Sequence, residues 1–320
     1  MSRKCQYIVF IIAGLLILPV ASCSASSSLK GRTIYVDCTN TEGPWDGTAE
    51  HPYQFIIDGV NHAENGDTVY VRAGHYTEHL VIEKTISLSG EGSNETCMSN
   101  VDRNSTCITI LASYATIENI TFIGNGGYIP AIRLLSAIGN TITQNVIRDF
   151  YTGISIEDSR KNNITSNILS NISGAGINLD QAVSSHIYAN YIDAKESGIG
   201  LVSSNSNIII HNTIQGYKNT VGTSYGIRIA LSNHNTIGEN DFIEHDLGVS
   251  FEYISYGITV VDNDFTGDLI GGMFAYGCFL NYWNGNYWNR PHSLPRPIFG
   301  WILNVPVVKF DWHPARSPNT

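Results

Sequence analysis

Thr141-Ile-Thr-Gln-Asn145-Val-Ile147 is followed by Asn163-Ile-Thr-Ser-Asn167-Ile-Leu169, His186-Ile-Tyr-Ala-Asn190-Tyr-Ile192 and Ile208-Ile-Ile-His-Asn212-Thr-Ile214. Thr236-Ile-Gly-Glu-Asn240-Asp-Phe242 and Thr259-Val-Val-Asp-Asn263-Asp-Phe265 continue the series. The Asn positions 119, 145, 167, 190, 212, 240, 263 and 286 advance by 26, 22, 23, 22, 28, 23 and 23 residues. A second series keeps nearly the same period: Ala131-Ile-Arg-Leu, Gly153-Ile-Ser-Ile, Gly176-Ile-Asn-Leu, Gly198-Ile-Gly-Leu, Gly226-Ile-Arg-Ile and Gly248-Val-Ser-Phe. The long step falls over the same stretch in both, so Gln215 to Tyr225 reads as an insertion in one repeat.

Each repeat holds short runs of apolar/polar alternation split by Gly, Asn and Ser, the pattern of short strands. A unit of this length cannot bury its own apolar face, whereas a stack of units forms a continuous core. The period suits one rung of a parallel β-helix. The Leu ladder and helical half of a leucine-rich repeat are missing, and a propeller blade needs about twice the length. In this reading Asn119, Asn145, Asn167, Asn190, Asn212, Asn240 and Asn263 form a ladder at one corner. There Asn tolerates the left-handed backbone, and its amides bond along the axis. The recurrent Gly supplies a tight bend, and Ile and Val fill the interior.

Composition agrees. Of 320 residues, 42% are hydrophobic and only 14% charged, which excludes a disordered chain, a coiled coil and a helical bundle. The net charge of −10 argues against a nucleic-acid partner.

Arg3 and Lys4 precede an apolar run from Tyr7 to Val20 and the small residues Ala21-Ser-Cys23-Ser-Ala25. Residues 1–28 thus read as a secretory signal or N-terminal anchor, too short for an ordinary membrane span. Val20-Ala-Ser-Cys23 resembles a lipobox, although plain cleavage nearby is the commoner outcome. Any membrane contact is expected through this segment alone, and the mature chain at the cell surface or in a periplasm-like space. Export permits disulfides, and Cys97 and Cys107, which bracket a polar loop, are the first candidate pair. Sequons start at Asn94, Asn104, Asn119, Asn163 and Asn171; they mark glycosylation or merely an Asn-, Ser- and Thr-rich composition.

Residues 29–112 read as an N-terminal cap with the first rungs, including a helix within His51 to Asn65 that plugs the core. Residues 113–275 are the regular rungs. Residues 276–320 form an aromatic, proline-rich cap whose prolines forbid regular strands and which holds four of the five Trp. Trp283 and Trp288 belong there; cap packing is the first reading and a sugar-binding platform the second.

Gly66-Asp-Thr-Val-Tyr-Val-Arg-Ala-Gly74, with Tyr76, Glu78, Leu80, Ile82 and Ile86-Ser-Leu-Ser-Gly-Glu91, resembles the opening rungs of right-handed parallel β-helix proteins. More narrowly it is similar to the NosD-type set, also described as carbohydrate-binding and sugar-hydrolase β-helix domains. Tyr287-Trp-Asn-Arg-Pro291 and Phe310-Asp-Trp-His-Pro314 are similar to the ends of archaeal exported members. The resemblance spans about residues 33–314 and implies an all-β, right-handed parallel β-helix. It says little about function, because such folds host many activities.

A polysaccharide hydrolase needs two carboxyl groups across the scissile bond. The Asp-Asp pair and His-Gly of the polygalacturonase pattern are both missing. Asp241, Glu244, Asp246, Asp262, Asp264 and Asp268 are the candidate acids. Asp241 and Asp264 occupy the same place one rung apart, where stacked carboxylates suit a hard cation such as calcium; the blander reading is a solvated acidic strip. A copper role, raised by the NosD resemblance, finds scattered ligands: His51, His75 and His79 near the start, His211, His234 and His245 on the rungs, no His-x-His and three Met. Asp311 and His313 make a last candidate pair or a packed turn. No resident metal or cofactor is expected. The function expected is a non-catalytic exported protein recognising a polysaccharide or envelope glycan. A lyase or hydrolase is the alternative, and a NosD-like factor for metal-site maturation the second alternative.

Overall fold

The computed structural model describes residues 31–218, 222–275, 278–302 and 305–319. The signal or anchor segment, with Cys23, lies outside the described residues. Residues 31–320 form one compact unit, an all-β parallel solenoid whose first, second and third sheets, numbered in the order the chain enters them in each turn, hold 11, 10 and 11 strands. Each turn contributes one strand to each sheet. Thr141–Thr143, Val146–Arg148 and Thr152–Glu157 make one turn, and Asn163–Thr165, Ile168–Ile172 and Ala175–Asp180 the next. The strands pair in register, so Ile142 lies on Ile164, Ile147 on Leu169 and Ile154 on Ile177. The inward columns are fully buried. They are aliphatic through the middle and aromatic toward the C-terminal end, where Phe242, Phe265 and Trp288 stack at centroid distances of 4.8 and 4.6 Å.

The ladder Asn carry out one of the two tasks expected of them. The left-handed residue at that corner is the one before each: Gln144, Ser166, Ala189, His211, Glu239 and Asp262, with φ from 52° to 56°. The ladder Asn instead bond along the axis. Asn190 Oδ1 accepts from the Asn167 backbone N–H and side-chain amide at 3.0 Å each. Its own amide donates to the Ile164 carbonyl at 2.8 Å and to Asn212 Oδ1 at 2.9 Å. Asn119 is displaced from this column. It is itself left-handed (φ 59°), and Ile120 holds the ladder place below Asn145. The step from Ile120 to Asn145 is 25 residues, one fewer than the Asn-to-Asn count, and that single residue separates the two columns.

The Gly series also has a different cause. Gly153, Gly176, Gly198, Gly226 and Gly248 are not among the residues with positive φ. A Cβ on Gly198 would sit 2.7 Å from the Gly226 carbonyl oxygen and inside the Ile214 side chain. These glycines let neighbouring rungs approach closely rather than bend.

Two further columns had no counterpart in the sequence reading. Asn140, Asn162, Ser185, Asn207 and Asn235 form a second buried ladder, with Asn207 N–H donating to Asn235 Oδ1 at 2.8 Å. Ser159, Ser204, Ser232 and Ser255 belong to a third, their hydroxyl oxygens accepting from the N–H groups of Ala137, Ala182, Ser204 and Ser232.

The helix is shorter than expected, Ile56–His62. Its first N–H groups are satisfied by Glu78, whose two oxygens accept from Ile56 and Ile57 at 2.9 Å. At the other end Arg296–Ile302 and Val305–Asp311 form an antiparallel hairpin that extends the third sheet. The prolines therefore do not forbid strands. Pro306 sits on the edge strand and Pro297 outside the Phe299–Gly300 stretch that pairs inward, so neither removes a needed donor.

Candidate functional site

Trp283 and Trp288 are 1% and 5% exposed and belong to the core. Both rings turn inward with the register of their strands, so neither forms an exposed platform for a sugar, although Trp288 lines one wall of a pocket. Asp311 is fully buried and takes the ladder place beyond Asn286. Its Oδ2 accepts from the Asn286 N–H, the Asn286 amide and Trp288 Nε1 at 3.0–3.1 Å. An acceptor-only carboxylate suits the last member of a ladder, where no further rung requires a donor. His313 lends Asp311 a backbone N–H at 3.2 Å and turns its ring to Asn284.

The candidate acids do not converge. Asp241 and Asp264 are strand partners, but Asp264 is buried and bound by the backbone and amide of Asn319 at 2.8–3.0 Å. Glu244 pairs with Lys218 at 3.5 Å. Asp246 accepts from the Ser224 N–H. Asp262 is exposed at the left-handed corner. Partial desolvation at its base, with Glu239 and Asp311 nearby, raises its pKa above the ordinary value.

Metal ligands are equally dispersed. His51 faces Asp46, His75 faces Ser99, His79 the Thr106 carbonyl, His211 Glu239, and His234 meets Tyr256 edge to face. Among the described residues no group of three or more His, Cys, Asp or Glu is placed to hold a metal. Cys97 and Cys107 are not joined; Cys38, Cys97, Cys107 and Cys278 are all free thiols. Cys97 lies on a second-sheet strand and Cys107 precedes a third-sheet strand, so the polar loop between them crosses a corner rather than closing a hairpin. The sequon residues Asn94, Asn104, Asn163 and Asn171 are exposed and Asn119 is partly so.

The third sheet carries what the candidates lacked. Its outward column runs Arg133, Ser155, Asn178, Gly200, Arg228 and Ser250. Over the middle of it lies a groove of about 590 Å³. Asn178 and Gly200 form the floor, where a Cβ on Gly200 would fill the space and touch Asn178 Oδ1 at 3.1 Å. Lys195, Glu196, Tyr225 and the inserted Gly222–Thr223 form one wall, and Leu231 and Tyr253 the other. The insertion is pinned by Lys218, whose N–H meets the Glu244 carbonyl at 2.9 Å.

Tyr225 lies 5.2 Å from the Arg228 guanidinium, which is held by both oxygens of Glu252 at 2.9–3.2 Å. Arg133 grips Glu157 in the same way. Glu196 accepts from the Tyr151 hydroxyl at 3.0 Å. The groove thus presents aromatic faces, the Asn178 amide, Lys195, Glu196, and an Arg228 whose charge is already matched by Glu252. The sequence held two signals for it: the insertion, and the variable residue within each Gly-Ile-x-Leu/Ile motif, which is this outward column.

Solved structures share this architecture at 13–14% identity, which speaks to the fold alone. A rhamnogalacturonan lyase aligns with TM-score 0.60 at 13% identity over 82% of this chain and 83% of its own. The mannuronan C-5 epimerase AlgE4 A-module of Azotobacter vinelandii aligns with TM-score 0.58 at 14% identity over 88% and 100%. Dettilon tailspike protein (gp208) aligns with TM-score 0.50 at 13% identity over 80% of this chain, which spans 62% of the tailspike's length. No curated protein matches the chain by sequence. Among the described residues no helix is long and apolar enough to cross a membrane. The family model for the periplasmic copper-binding protein NosD matches residues 60–293 of the 320, in keeping with an exported protein. The chain belongs to the NosD family.

Proposed function

We propose that this protein is an exported, non-catalytic β-helix that binds a glycan chain in the third-sheet groove. The observation that carries the reading is the composition of the groove: Tyr225 and Tyr253 as apolar faces, Asn178 and Glu196 as hydrogen-bonding groups, and an open floor at Gly200. Sugars are bound by such combinations of a stacking face and directed polar groups. The lining favours binding over the two-carboxyl chemistry of a hydrolase: among the described lining residues Glu196 is the one acid, and it accepts from the Tyr151 hydroxyl. Arg228 is kept protonated by Glu252, so it is a poor base for the proton that a lyase removes. That lyases and an epimerase of polysaccharides share the fold gives the alternative its standing, at an identity too low to carry activity over.

The family description names copper, but the described residues do not fit a copper centre. Their His and Cys are dispersed, Met98 is buried in the core, and Met273 stands alone on the third sheet. Metal-site maturation therefore has no supporting geometry among them.

A polysaccharide panel tests the proposal. Saturable binding to at least one glycan, weakened at least about tenfold by Tyr225→Ala, is expected. Release of reducing ends or unsaturated products from any member of the panel would overturn the non-catalytic reading. Binding that ignores Tyr225→Ala and Asn178→Ala would overturn the groove.

A further inference from the structure

A second pocket, of about 240 Å³, lies at the corner between the second and third sheets near the C-terminal end. Phe265 and Trp288 form its apolar wall, and Asp268, Arg290, His292 and Arg296 its polar one. The Asp268 side chain is 2% exposed. One of its oxygens accepts from the His245 N–H at 2.7 Å and lies 3.1 Å from His245 Nδ1. The other, Oδ2, is buried with no partner. Arg296 has a buried Nε with no partner, and its guanidinium lies 5.9 Å from the Trp288 ring. Among the described ion pairs none includes Arg290, His292 or Arg296.

Burial of an unmatched donor or acceptor costs the full desolvation of that group, and such exceptions in a folded protein call for a cause. Here the two residues that carry the orphan donor and the orphan acceptor, Arg296 and Asp268, line one small pocket. Burial and the neighbouring Arg290 also weaken proton binding by Arg296, the strain of a cation without its counter-ion. A ligand with both an anion and a hydroxyl donor would satisfy both groups at once.

We infer that this pocket binds a hydroxycarboxylate, the chemistry of a single uronic acid residue, with the carboxylate on Arg290 and Arg296 and a hydroxyl donating to Asp268 Oδ2. A dianion such as phosphate suits the arginines but is repelled by Asp268. A neutral sugar satisfies Asp268 but leaves Arg296 unmatched. At roughly 30 Å³ per water the space equals about eight waters, room for one ring and not for a chain. The pocket shares no lining residue with the groove, so the two readings stand or fall separately.

The test is calorimetric titration of the full chain with galacturonic acid, trigalacturonate, galactose and inorganic phosphate. Saturable binding of galacturonic acid is expected, with galactose and phosphate each at least about tenfold weaker. Arg290 is exposed, so Arg290→Gln leaves the fold intact and lowers galacturonic acid affinity about tenfold. Asp268→Asn narrows the gap between galacturonic acid and phosphate, and Tyr225→Ala changes neither. Binding of the free acid alone assigns the pocket to small acids, and equal binding of the trimer assigns it to chain ends; either supports the inference. No saturable binding of either acid, equal binding of phosphate, or indifference to Arg290→Gln would overturn it.

Discussion

The Asn corner and the outer face of the third sheet are both rich in polar residues, and they use them in opposite ways. At the corner every amide is buried and its bonding capacity is consumed by the rungs above and below, as at Asn190. On the third sheet the polar column faces outward, and its members differ from rung to rung: Arg133, Ser155, Asn178, Gly200, Arg228. A position that repeats is solving a problem every rung shares. A position that varies on a repeating scaffold is free to meet something outside. Periodicity therefore marks architecture in this molecule, and departures from it mark the candidate sites: the insertion beside the groove, and the end of the stack, where His245, Asp268 and Arg296 interrupt the pattern.

The sharpest way to break that contrast is Asn190→Ala. It removes the acceptor of the Asn167 N–H and of the Asn167 side-chain amide, and takes one donor each from the Ile164 carbonyl and Asn212 Oδ1, in a dry interior. A loss of about 4 kcal/mol is expected, read as a lower urea midpoint; a loss under about 1 kcal/mol would mean that the ladder is ornamental. Gly198→Ala comes next. Its new Cβ meets the Gly226 carbonyl oxygen at 2.7 Å, and a cost of about 2 kcal/mol is expected from overpacking. If the substitution is neutral, the Gly column is not a close-approach device.

Asn119→Ala sharpens the distinction between the ladder and its neighbouring column. Asn119 is left-handed but outside the ladder, so only its backbone preference is lost, about 1 kcal/mol. A cost equal to that of Asn190→Ala would return Asn119 to the ladder. Tyr225→Ala is the smallest: stability within about 0.5 kcal/mol of the parent while glycan binding falls. A large loss of stability there would make Tyr225 architecture after all.

Much of the fold was legible because the rung imposes one chemical demand at one interval. Ile142, Ile164, Ile187 and Ile209 are spaced as their stacking requires, and so are Asn145 to Asn263. The neighbouring ladder of Asn140, Asn162, Ser185, Asn207 and Asn235 is masked in the sequence, since Ser185 breaks its identity while preserving its hydrogen bond. The assignment of Asn119 failed for a subtler reason: a one-residue difference in rung length moves a residue from a buried column to an exposed corner, and residue type does not record it. Acids chosen by sequence position proved scattered, with Asp264 covered by Asn319 from 55 residues away.

By itself the sequence determined the repeat, the parallel stack and the aliphatic core, because each follows from local periodicity multiplied along the chain. The tertiary structure alone decided which polar groups are used up and which are left over. Trp288 turned inward, Asp311 became the last ladder member, and Asp268 Oδ2 and Arg296 Nε were left without partners on residues that line one pocket. Hydrogen-bond satisfaction is a property of the assembled rungs, since the partner of each residue is supplied by chain more than 20 residues distant.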